Sequence, residues 1–258
     1  MDGKPDGEIT VHTLAYSKAD LDAAPADERL FYLMAGSIAN DTAILNKAML
    51  VSLENEDFGS KISGQGNSTS ALFILRMLSG RLAEAAKLTG QKNKMIKEKY
   101  EDDLSEEAKA GFRGILKYFS GKSSLLLKVR DQMAFHHLSD FVEPAYASLD
   151  DAHELGDYMH VTSGNTLYYT AEMLHYEALK KLSGLSHEDA ISRWVDDALE
   201  QSKNFGDFLG GFALVFAQRH LQQSLEKLER ESERVPVVDL HKLALPYFTL
   251  PPDLPDNS

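Results

Sequence analysis

From Asp27 onward, apolar residues recur at three- and four-residue steps: Leu30, Leu33, Met34, Ile38, Ile44, Leu45, Ala48 and Met49. That spacing lines one face of a helix and predicts an element over about residues 28–53. The stretch 54–66, rich in Gly, Ser, Asn and charge, reads as a loop. Ser68 or Thr69 can cap a second helix running to Lys87 or Leu88, with Gly90 as its stop and a lysine-rich connection behind it. A third starts at Asp103 or Ser105 and ends near Phe119. After the Ser120-Gly121 break, a fourth runs over about 124–139, and Pro144 closes that segment.

Residues 150–165 are less regular. Helical pattern returns over 166–182 and stops at Gly184, and Ser186-His-Glu-Asp forms a capping pattern for a helix through Trp194 to about Ser202. A last long helix, about 205–233, carries Leu209, Phe212, Val215, Phe216, Leu221, Leu225 and Leu228 as its buried stripe. No internal repeat and no alternating strand pattern of useful length is visible. The expectation is an all-α, single-domain, multi-helix bundle. Residues 1–24 read as a loosely ordered leader, 25–235 as one helical domain, and 236–258 as an extended tail. Five of the eight prolines lie in that tail, which can dock through Leu245, Tyr247 and Phe248.

Composition narrows the chemistry. Hydrophobic residues at 43% and charged residues at 26% are the balance of a packed globular chain. With no cysteine there are no disulfides, no thiolate chemistry and no Cys-based metal sites. The polar N-terminal stretch has no apolar signal region, and the densest apolar runs, such as 71–75, fall far short of the ~20 residues a membrane span requires. A cytoplasmic location with no membrane partner is expected. The net charge of −13 argues against a general electrostatic hold on nucleic acid. The run Lys87, Lys92, Lys94, Lys97 and Lys99 is a candidate local basic patch, or simply a solvated connection.

Several motifs fail on their spacing. Gly121-Lys122-Ser123 lacks the glycine of a phosphate-binding loop, since Leu116 stands five residues earlier, and it sits between helices rather than after a strand. Neither His153 with His160 nor His136 with His137 has the i, i+4 spacing with an intervening Glu of helical zinc sites, so no metal is expected. Asn40, Asp41, Arg76, Arg81 and Glu84 read as partners in hydrogen bonds between helices.

One segment remains. Residues 122–141 read KSSLLLKVRDQMAFHHLSDF, with Arg130, Asp131, four further residues, then His136 and His137 directly behind it. This arginine–polar–x4–histidine pattern on a helix behind a short glycine turn resembles the signature of the HEPN superfamily. Those are all-helical domains, many of them metal-independent endoribonucleases of toxin–antitoxin and abortive-infection systems. The likeness covers about residues 27–182 and leaves the last helix and tail unexplained.

The resemblance implies a homodimer with the motif at its interface and an RNA substrate. It also implies an antitoxin or regulatory protein as partner, no cofactor, and Arg130, Asp131, His136 and His137 as site residues. The residue types suit that chemistry. Histidine moves protons near neutral pH, while arginine stays charged and grips phosphate. The family pattern favours His136 as the acting base. A regular helix wheel favours His137, ~20° from Arg130, over His136, ~120° away. Many HEPN-like domains serve as catalytically silent dimerisation, partner-binding or nucleotide-binding modules, and the acidic balance fits that alternative. An enzyme acting on a small phosphorylated molecule through the same residues also stays open.

Overall fold

A computed structural model describes residues 6–54, 59–121, 123–134, 139–150, 155–222, 224 and 232–249. Serine side chains fix where most of its helices begin. After strand β1 (Gly7–His12), Ser17 caps α1 (Lys18–Ala23): its hydroxyl accepts from the Asp20 amide at 3.2 Å, and the Asp20 carboxylate accepts from the Ser17 amide at 2.7 Å. Then come α2 (Ala26–Glu54) and α3 (Lys61–Gln91), the latter capped by Ser60, which accepts from the Ser63 amide at 3.1 Å. The short α4 (Asn93–Lys99) leads to α5 (Glu106–Ser120), capped by Ser105. Next stand α6 (Leu125–Val129), a π-helical turn over Arg130–Ala134, and α7 (Ser139–Tyr146). α8 (Tyr169–Ser183) ends on Gly184, whose φ of 71° is the left-handed stop that glycine supplies. Ser186 caps α9 (His187–His220) through the Asp189 amide at 3.2 Å.

α3 and α9 are the long beams. α3 is buried on nearly every side, because α2, α5, α6, α8 and α9 all pack on it. Two cores form along the beams. One gathers Phe31, Tyr100, Phe112, Phe205, Phe208, Phe212 and Phe216 between α2, α5 and the second half of α9. The other gathers Leu72, Leu75, Leu78, Leu82, Leu125, Leu126, Val129 and Trp194 between α3, α6 and the first half of α9. The expected all-α bundle is the architecture, and no helix among the described residues is long and apolar enough to cross a membrane.

Several elements differ from the sequence reading. Residues 7–12, expected to be loose, pair antiparallel with β2 (Ser232–Val237) from Gly7↔Val237 to His12↔Ser232. The last helix therefore does not run to Glu233. α9 ends at His220, Gln222 and Ser224 are helical again, Ser232 and Glu233 are strand, and the expected stripe residues Leu225 and Leu228 lie outside the described residues. Nor is there a break near Ser202: α9 is continuous because Gln201, Phe205 and Phe208 keep its buried face unbroken. Helix α3 begins at Lys61, inside the expected loop. Its small residues let the tail approach closely: a Cβ on Gly66 would lie 2.8 Å from Tyr247 Cβ. The lysine-rich connection is helical as α4. Pro144 lies inside α7 rather than closing the preceding segment; it removes one ladder bond in a helix that ends two residues later.

The tail docks where expected for two of its three residues. The Tyr247 amide donates to Asn67 Oδ1 at 3.2 Å and its hydroxyl donates to the Thr166 carbonyl at 2.9 Å. Phe248 stacks edge-on against Tyr247, with centroids 5.0 Å apart. Asn165 reads the Thr249 backbone twice, donating to its carbonyl at 2.6 Å and accepting from its amide at 3.0 Å. Leu245 stays exposed.

Candidate functional site

Ser124 caps α6 by accepting from the Leu127 amide at 3.2 Å, and the Leu126 amide donates to the Tyr118 hydroxyl at 3.3 Å. Leu125, Leu126, Val129 and Met133 are buried and pin α6 and the π-helical turn onto α3. This leaves Arg130, the first residue of the turn, on the edge of the interface with its side chain 35% exposed. Its Nη2 donates to Glu84 Oε1 at 2.9 Å and its Nη1 to Asp131 Oδ1 at 2.7 Å. The hydrogen bond donated to Asp131 does most to hold the guanidinium above its ordinary pKa; partial burial opposes this, and the bond to Glu84 adds to it.

Arg130 borders a cleft of about 370 Å³ between α3, α5 and α6. Leu116, Phe119 and Leu127 supply its apolar wall, while Glu84, Lys87, Ser120 and Arg130 supply its polar groups. Lys87 Nζ lies 3.6 Å from Glu84, so both cations of the cleft share one carboxylate. With Asp131 the charges balance. Across α3, Glu84 also borders a second cleft, of about 420 Å³, beside Asp41 and Arg81.

The structure brings Arg130 and Asp131 together and adds Glu84. His136 and His137 lie outside the described residues. The regular wheel that ranked them does not carry across residues 130–134, because a π-helical turn bonds i to i+5. The inter-helix partners read from sequence are present: Arg81–Asp41 at 3.0 Å, Arg76–Glu172 at 3.3 Å, and Glu84 with Arg130. Asn40 has no such bond among the described contacts. Lys122 and His153 lie outside the described residues, and His160 Nδ1 accepts from the Thr162 amide at 3.0 Å. Among the described residues no group of three or more His, Asp or Glu is arranged to hold a metal ion.

The sequence reading missed a second polar cluster, around Glu28 and His220. A signal for it existed. Phe208, Phe212, Phe216 and His220 stand at four-residue steps, so an imidazole continues an apolar stripe, and Glu28 precedes Phe31 and Ala35 on the buried face of α2. Compared with known proteins, the chain matches no protein-family model, no curated protein and no solved structure.

Proposed function

We propose that this chain is a catalytically silent, HEPN-like helical module that dimerises or binds a partner protein or nucleotide. The observation that carries this reading is the pairing of Arg130. A guanidinium steadies a phosphorane through N–H groups aimed at it, yet both terminal nitrogens of this one are taken by carboxylates, and the neighbouring Lys87 leans on one of these. The overall charge of −13 points the same way. A surface for a second copy or a partner is at hand: Leu30, Leu33 and Met34 form an exposed apolar patch on α2, with Ile44 exposed on the same face beyond Asp41.

The second reading, a metal-independent endoribonuclease with Arg130 and His136 or His137 at a dimer interface, draws support from the turn at Arg130–Ala134. Single π-helical turns often occur at functional sites. The two readings part on one experiment. Wild-type protein, Arg130→Ala, His136→Ala and His137→Ala are incubated with RNA in the presence of chelator, and each is melted alongside. The module predicts no cleavage by any of them. It also predicts that Arg130→Ala changes stability by less than ~1 kcal/mol, since a half-exposed ion pair contributes little. Cyclic-phosphate ends made by wild type and abolished by Arg130→Ala would establish the nuclease instead.

A further inference from the structure

The cluster that the sequence reading missed is built like a binding site. Glu28 is only 4% exposed and accepts three hydrogen bonds: from the Tyr100 hydroxyl at 2.5 Å, from Lys99 Nζ at 2.7 Å and from His220 Nε2 at 3.0 Å. Burial pushes its carboxyl upward in pKa, but the donors Lys99, Tyr100 and His220 together outweigh burial and hold it below its ordinary value. Glu28 is therefore an anion at neutral pH, and a carboxylate on one ring nitrogen fixes both the tautomer and the orientation of the imidazole.

His220 in turn lines a cleft of about 710 Å³ between α1 and the end of α9. That volume falls within the ~300–1,000 Å³ of small-molecule sites. Arg219 lines it too, its guanidinium 4.6 Å from the centre of the Tyr100 ring and its Nη2 2.5 Å from Asp103. Stacking and this single bridge position the guanidinium while its other N–H groups stay available among the described contacts. The Asp20 carboxylate at the cleft edge is committed to the Ser17 amide and hydroxyl.

We propose that this cleft binds a small molecule carrying a phosphate monoester, with Arg219 gripping the phosphate and His220, held by Glu28 at Nε2, hydrogen-bonding to it through Nδ1, as a donor when the ring carries its second proton. Arg219, His220 and Gln222 all line the cleft, and the guanidinium N–H groups left beside the Asp103 bridge, with the Gln222 amide, can meet several oxygens of an anion at once. A phosphate offers three. Arg219 also offsets the negative end of the α9 dipole, which would otherwise repel an anion. The site is independent of Arg130 and stands whether or not that residue is catalytic.

The test is a titration followed by imidazole resonances, with His220→Gln identifying the His220 signals. Glutamine keeps an amide donor for Glu28. Inorganic phosphate forms one arm and adenosine 5′-monophosphate the other. Saturable movement of the His220 signals with either probe is expected, together with at least ~tenfold weaker binding in Arg219→Gln, a variant folded by circular dichroism. Movement with the nucleotide alone assigns the site to an organic monophosphate, and movement with both assigns it to the phosphate group itself. No movement at millimolar concentrations of either, or movement that survives unchanged in Arg219→Gln, overturns the proposal.

Discussion

The two cores of this bundle share their beams but not their materials. Around α5 and the second half of α9 the packing is aromatic and directional: Phe31 meets Phe212 edge-on at 4.7 Å, Tyr100 meets Phe212 at 4.4 Å, and Phe112 meets Phe208 at 5.1 Å. The backbones there touch through small residues. A Cβ on Gly111 would overlap the Asn204 carbonyl and lie 3.1 Å from the Phe208 nitrogen, and one on Gly211 would overlap Ala108. Around α3 and α6 the packing is leucine-rich, with Trp194, donating to Ser79 Oγ at 2.8 Å, as the one ring among its fully buried residues and Tyr118, Phe119 and Tyr176 at its margin.

Rings in fixed orientations demand a set separation between helices, whereas leucines and methionines fill an irregular space. The leucine-rich half is accordingly the half that contains a five-residue helix running into a π-helical turn, with Arg130 at the junction. The deformable core carries the candidate site, and the rigid core anchors it.

The largest effect should come from breaking the rigid side. Gly111→Val is expected to cost more than ~4 kcal/mol, since backbone atoms rather than a flexible side chain stand in the way. Leu78→Met, at an equally buried point of the other core, should cost less than ~1.5 kcal/mol. Urea midpoints of the two variants decide whether the cores differ as described, and equal losses would show that they do not.

Next in size is Glu28→Ala, which strands the buried Tyr100 hydroxyl and should cost about 2–4 kcal/mol. This contribution has a pH sign. A carboxyl held below its ordinary value of 4.5 stabilises the fold fully above that value and ceases to do so as the pH falls through its own lower pKa. The gap in melting temperature between wild type and Glu28→Ala should therefore be wide at neutral pH and shrink in strong acid. A gap that widened in acid would contradict the arrangement.

Smaller than the loss of Glu28 is that of Ser79→Ala, which leaves the Trp194 N–H without its acceptor inside the leucine-rich core; a loss of about 1–2 kcal/mol in equilibrium unfolding is expected.

What the chain disclosed in advance follows the range of the interactions involved. Helices α2, α5 and α8, the Ser186 cap and the Gly184 stop rest on contacts within one or two turns, and periodicity and capping residues reveal those. The start of α3 was hidden because Gly64, Gly66 and Asn67 look like loop residues, whereas Gly66 is small to admit Tyr247 and Asn67 is polar to receive its amide. The ribbon β1–β2 was hidden because its two strands are short and lie at opposite ends of the chain. For the candidate site, Arg130 and Asp131 were visible as a motif and Glu84 as an inter-helix partner. That Glu84 and Arg130 would find each other is a property of how α6 lies on α3, and no local pattern encodes it.

The register of the ribbon has a mechanical consequence. Gly7 faces Val237 and His12 faces Ser232, so the chain enters one strand and leaves the other at the same end of the pair. Tension applied beyond Gly7 and beyond Thr249 would first peel Tyr247 and Thr249 from Asn67 and Asn165. It would then load the ribbon across its hydrogen bonds one pair at a time, in the manner of a zipper, instead of shearing all of them at once. The ends of the described chain would yield at low force, and the α3–α9 beams would feel the pull only after the ribbon had opened.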